Sequence, residues 1–166
     1  MDINLCKAAK MEIELILSQL KDTYEGNPWF GRNAKALLNE VDEQIAFVKF
    51  NNQHSILELL WHIITWREFT ISRLRPSPQQ SIEYFEQKDW QKLDHNDKTL
   101  WPKGLKKLYE TQKELIYLLQ QQDGAILEQP VKDREYNFRK LLYGVIQHDI
   151  YHLGQIAYVN KAVRAS

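Results

Sequence analysis

Apolar positions recur at steps of three and four along most of the chain, and they gather into four long stretches. In the first, Ile3, Ala8, Met11, Ile13, Leu15, Ile16, Leu20 and Tyr24 predict a helix with one buried stripe. Glu25-Gly26-Asn27-Pro28 ends it, because glycine and proline together turn the chain out of helical geometry. Trp29 and Phe30 follow, and two large aromatics there are expected to plug the end of a helix assembly rather than line a pocket mouth. Asn33 is placed to cap a short helix reaching Leu38, and residues 41–52 read as a loose connection. Ser55 opens the second long helix. Ser55-Ile56-Leu57-Glu58 matches the capping box, in which each side chain satisfies the other's free backbone N–H. Leu59, His62, Trp66, Phe69 and Leu74 then place His62 on or beside the buried face, while Arg73 and Arg75 suit the negative end of the helix.

Pro76-Ser77-Pro78 breaks the pattern, and residues 79–96 hold Tyr84, Phe85, Trp90 and His95 without a sustained period, which reads as an ordered crossover loop. Asp97 or Thr99 caps a third helix with Pro102 in its first turn and Leu105, Leu108, Tyr109, Leu115, Leu118 and Leu119 on its apolar face. It ends near Gln122. Asp123-Gly124 forms a turn, residues 125–135 make an irregular or extended link, and residues 136–164 form one long last helix with Asn137 as its cap. Only six glycines and five prolines fit long helices better than a many-turned sheet. The expectation is therefore an all-α, single-domain chain over residues 1–166, a four-helix bundle with crossover connections.

Charge narrows the function. Lys and Arg number 22, as do Asp and Glu, so no basic face is implied and nucleic acid is a poor partner. One cysteine, Cys6, excludes a disulfide framework and a thiolate-rich zinc finger; it is expected as a small core residue, and the chain as cytoplasmic. No run of eighteen apolar residues predicts a membrane span, and the first residues carry no secretory pattern.

The chemistry lies in the last helix. His148 and His152 are four residues apart, one helical turn or roughly 6 Å along the axis, so both imidazoles share a face and can close on a single metal ion. The best source of a third ligand is His62, in the only other helix of comparable strength. Three imidazoles suit Zn, Ni, Fe or Mn and leave coordination positions open, as a reactive centre requires. The competing reading is a chance helical pair beside a hydrogen-bonded core histidine, but burying several unpaired imidazoles together costs several kcal/mol. His-Asp-Ile-Tyr-His also resembles the zincin peptidase motif with Asp149 for its glutamate. Aspartate is a methylene short as the base, and Gln155 and Tyr158 stand where the extended motif requires glycine and histidine. His54 is expected in solvent and His95 away from the site. Gln155 shares the face of the two histidines and can hold one from outside, Gly154 permits close approach of a neighbouring helix, and Glu58 is read as the capping carboxylate.

Residues 55–66, SILELLWHIITW, taken with residues 148–156, HDIYHLGQI, resemble the DinB superfamily, which includes the YfiT-like proteins. The likeness extends to Pro28-Trp29-Phe30-Gly31, to Arg73-Leu74 and to Asp97 with Trp101-Pro102. It implies a four-helix bundle with crossovers, a divalent metal on His62, His148 and His152, and a homodimer. It further implies an enzyme that transfers or isomerises with low-molecular-weight thiols such as bacillithiol, mycothiol or glutathione, a small-molecule thiol and an electrophile being its substrates. No catalytic acid or base is identified. The alternative is a non-catalytic helical bundle that holds metal or a small ligand.

Overall fold

The computed structural model describes residues 3–76 and 80–165, with side chains from Lys7 onward. Ser77 and Pro78 of the expected break, Gln79 at the start of the expected loop, and the side chains of Ile3 and Cys6 lie outside the described residues. The described residues form α1 (Ile3–Tyr24), α2 (Ala34–Asn39), α3 (Glu43–Ala46), α4 (Ile56–Leu74), α5 (Ile82–Lys88), α6 (Leu100–Gln120) and α7 (Phe138–Ala165), with a 3-10 turn at Gly124–Glu128. No strand forms among them; one isolated bridge pairs Pro130 with Asn137.

Local chemistry sets the helix starts. Asn33 Oδ1 accepts from Ala36 N at 2.8 Å to open α2. At α4 both halves of the capping box are made: Ser55 Oγ accepts from Glu58 N at 3.2 Å, and Glu58 Oε2 accepts from Ser55 N at 2.8 Å. Asn137 Oδ1 accepts from Lys140 N at 3.1 Å in the first turn of α7. Thr99 precedes α6 without a side-chain cap, its own N–H and hydroxyl bonding Asp97 Oδ1.

Two helices stand where loops were expected. α3 is a single turn in the 41–52 connection, capped by Asp42 Oδ1, and four residues are too few to show a period. α5 lies in the crossover, where Phe85 is buried against Phe69 with ring centroids 5.4 Å apart. Trp29 and Phe30 plug nothing: both are exposed. Ala8, Met11 and Leu15 also face outward, so the buried stripe of α1 is Ile13, Ile16, Leu20 and Tyr24.

The four long helices pack pairwise, α4 against α6 and α7, and α1 against α6 and α7. Apolar contacts gather in two clusters. One joins Leu57, Leu60 and Ile64 to Trp101 and Ile156; the other joins Ile16 and Leu20 to Phe69, Leu115, Leu142 and Ile146. α4 and α7 feed both. Gly124 brings the 3-10 turn against α1 where a Cβ would strike Ala9.

A polar network ties all four. Arg67 of α4 is fully buried; its Nε donates to Asp149 Oδ2 of α7 at 2.9 Å and its Nη1 to Gln112 Oε1 of α6 at 2.8 Å. Gln112 Nε2 in turn donates to Leu20 O of α1 at 3.0 Å. Burial pushes the Asp149 carboxyl up against the opposing pull of Arg67. A buried pair of this kind adds little net stability, because desolvation offsets its attraction, but it penalises any register that separates the partners. Arg73 does not merely complement the helix end as expected. It is buried, and its guanidinium donates to Gln80 O at 2.8 Å and Lys132 O at 3.1 Å, stapling both long connections to α4.

Candidate metal centre

His62 arrives on the second turn of α4, and His148 and His152 on successive turns of α7. The ring centroids lie 4.8 Å (His62 to His148), 4.5 Å (His62 to His152) and 4.4 Å (His148 to His152) apart. One nitrogen from each lies within 4.8 Å of the others. The helix pairing seen in the sequence is therefore the one the fold makes: α4 and α7 pack face to face and bring these three rings together.

Two of the rings are oriented from behind. His62 Nδ1–H donates to Asp89 Oδ1 at 2.5 Å, and His152 Nδ1–H donates to Gln155 Oε1 at 2.6 Å. Each bond fixes the tautomer that leaves Nε2 with a free lone pair. His62 Nε2 faces His148 Nε2 at 2.9 Å, so two acceptor nitrogens meet unless a proton or a cation stands between them. His148 Nδ1 is buried without a partner, which makes His148 the member of the three that no second group orients.

Electrostatics favour the neutral rings a metal requires. Burial pushes the His148 imidazole down to about 3, helped by the charges of His152, His62 and Arg67. Burial also lowers His62, against the pull of Asp89, and His152, against that of Gln155. Neutral imidazoles with converging lone pairs suit a borderline divalent cation such as Zn, Ni, Fe or Mn.

The connection between α4 and α6 adds to the cluster two residues that the sequence did not single out for the site, Asp89 and Trp90. Asp89, just past α5, also accepts from Trp66 Nε1 at 3.3 Å. Trp90 stacks on His62 with centroids 3.9 Å apart and on His54 at 3.8 Å, so the indole is sandwiched between two imidazoles. Its φ of 48° is left-handed, a conformation that costs a bulky residue about 1–2 kcal/mol and that the two stacked rings help to hold. His54 is thus half-exposed but engaged. Ser81 before Ile82 and Phe85, spaced three apart, was the available signal for a helix in that segment.

Other candidates fall away. Glu58 stays with its cap and with Lys49, 2.8 Å away, and His95 Nδ1 donates to Phe47 O at 2.9 Å outside the cluster. Asp149 is committed to Arg67, so the residue that echoes the peptidase glutamate is structural. Among the described residues no neighbouring helix approaches Gly154: a Cβ there meets nothing within 4 Å. It instead borders a groove of about 400 Å³ with Tyr151, Tyr158 and Gln155.

The described residues are helical, and three histidines from two packed helices converge in an arrangement able to hold a metal ion. The family model of the DinB superfamily matches residues 31–156, a span that includes all three, and the chain belongs to that superfamily. No curated protein and no solved structure matches it. Family and cluster together point to divalent-metal binding.

Proposed function

We propose that the protein is a divalent-metal-dependent enzyme whose ligands are His62, His148 and His152, and that it transfers a low-molecular-weight thiol to an electrophile. The observation that carries the reading is the pair of outer hydrogen bonds, Asp89 to His62 and Gln155 to His152, which aim two Nε2 lone pairs inward beside His148. A divalent cation held there supplies Lewis acidity that favours a bound thiolate over the thiol. The chain's own residues do the rest: Asp89 and Gln155 hold ring orientation, Trp66 Nε1 holds Asp89, and Trp90 stacks on the His62 ring. In this reading residues 1–166 act as one domain, a four-helix bundle with crossovers built on α1, α4, α6 and α7. It works as a homodimer in the cytoplasm, the exposed Tyr151 and Tyr158 flanking Gly154 being the α7 surface best suited to a second copy. Among the described residues no helix is long and apolar enough to cross a membrane.

The alternative, a binder without turnover, is favoured by one observation: the nearest carboxylates, Asp89 and Asp149, are each already engaged. Protein purified without an affinity tag should carry close to one equivalent of metal and consume bacillithiol or glutathione with a panel of electrophiles. Metal without any metal-dependent thiol consumption would favour the binder. Metal below about a tenth of an equivalent, unchanged in His148→Ala, would sink the metal site in either reading.

A further inference from the structure

α7 contains two glycines in its interior, and a helix-interior glycine is destabilising relative to alanine, so each needs a reason. Packing within the chain gives none at Gly144, where a Cβ would meet no atom within 4 Å. What the missing side chain leaves is space. Gly144 borders a groove of about 270 Å³ between α4 and α7, walled by Trp66, Phe69, Tyr136 and Val145 and sharing His148 with the candidate metal centre. That volume lies just below the roughly 300 Å³ at which ligand clefts begin, so its occupant is small.

The walls are mostly aromatic and aliphatic; Asp89 accepts from Trp66 Nε1, but no carboxylate lines the groove itself, whereas a cation does. Lys140 lines the groove, with its Nζ 5.6 Å from the Tyr136 ring centroid. The Arg134 guanidinium lies over the same aromatic wall, 5.8 Å from the Trp66 ring and 5.4 Å from Phe69, and its Nε is buried without a partner. Among the described residues neither cation forms an ion pair with a carboxylate. Elsewhere on the surface the exposed cations Arg32, Lys35, Arg75 and Arg139 do.

We infer that this groove binds a small apolar monoanion, an aryl or alkyl carboxylate, with its apolar body against Trp66 and Phe69 and its carboxylate toward Lys140 and Arg134. As the acceptor side of the centre the inference rests on the metal reading, since His148 joins the two; as a binding site it stands on the groove alone.

The test titrates 4-phenylbutyrate and its uncharged analogue 4-phenylbutan-1-ol into the protein, following binding by calorimetry and by tryptophan fluorescence. Gly144→Leu puts a side chain into the groove from a Cβ that meets no atom within 4 Å and improves helix propensity, so its fold is expected to hold. The carboxylate should bind more tightly than the alcohol. Gly144→Leu should weaken both by roughly tenfold or more. Lys140→Gln should weaken the carboxylate by up to about fivefold, the upper range for an exposed ion pair, and leave the alcohol unchanged. Equal binding of acid and alcohol, or binding unaltered in Gly144→Leu, overturns the inference. So does a Gly144→Leu protein that binds normally but sediments as a smaller species, since the groove would then belong to a second copy of the chain. Repeating the titration on His152→Ala separates the two readings: groove binding should persist when the metal is lost.

Discussion

His62 Nδ1 stands 2.5 Å from Asp89 Oδ1 although 27 residues separate them, and this contact makes the crossover part of the centre. A segment that carries no sustained period supplies the carboxylate that fixes the His62 tautomer, and its next residue, Trp90, covers the same ring. The expected effect of cutting the contact follows from outer hydrogen bonds elsewhere, whose loss weakens metal binding by about 10–100-fold. Asp89→Ala should do so here, read by competition with a chromophoric chelator. Asp89→Asn, whose side-chain oxygen still accepts from Nδ1–H, should fall between the variant and the wild type. Equal affinities in all three proteins would remove Asp89 from the site.

His148 is the ring without an outer partner. His148→Ala should reduce metal content to background, measured by elemental analysis of the purified protein. In the metal-free state His148 Nε2–H donates to His62 Nε2 at 2.9 Å, so the same change loses one hydrogen bond but also removes a buried unpartnered Nδ1. The metal-free variant should therefore unfold within about 1 kcal/mol of the wild type, far less than a core truncation costs. A loss of several kcal/mol would show that His148 is a packing residue first.

Arg67 and Asp149 should behave as a unit. Arg67→Met leaves a buried carboxylate without its cation and should cost about 3–5 kcal/mol in urea unfolding. The double variant Arg67→Met with Asp149→Leu should recover most of that, because removing both charges removes the desolvation cost along with the attraction. Additive losses would indicate that the two residues contribute through separate contacts.

Acid should destabilise the metal-free protein early. Burial holds His62 and His152 below the ordinary histidine range and His148 near 3, whereas in the unfolded chain each takes up a proton near pH 6.5. Below that pH the unfolded state binds protons that the folded state refuses, so stability is intact above about 6.5 and declines toward 3. Thermal midpoints should fall on going from about pH 7 to about pH 5, and His148→Ala should show a shallower slope. Parallel slopes for the two proteins would place the acid sensitivity elsewhere.

Much of this was legible from residue order, and for identifiable reasons. α4 is bounded by the reciprocal bonds of Ser55 and Glu58, an interaction between residues three apart that needs no tertiary contact. α7 carries His148 and His152 on one face by the geometry of the helix itself. Long amphipathic patterns likewise locate α1 and α6. Short elements escaped: α3 has four residues and α5 seven, and neither spans enough turns for periodicity to speak. The expectation for Trp29 and Phe30 failed differently, because aromatic character favours burial only where some surface is available to bury against, and here Trp29 is fully exposed and Phe30 only partly covered.

What the sequence determined by itself is whatever depends on neighbours within a turn: the four long helices, the caps at Ser55 and Asn137, the shared face of His148 and His152, and the neutral overall charge. What only the tertiary structure decided is which groups from distant segments stand behind the rings. Asp89 on His62, Trp90 between His62 and His54, Arg67 on Asp149 and the open space over Gly144 all depend on how α4, α7 and the crossover meet. Hydrogen bonds and stacking act over a few ångströms, so they exist only after packing has chosen which distant residues become neighbours.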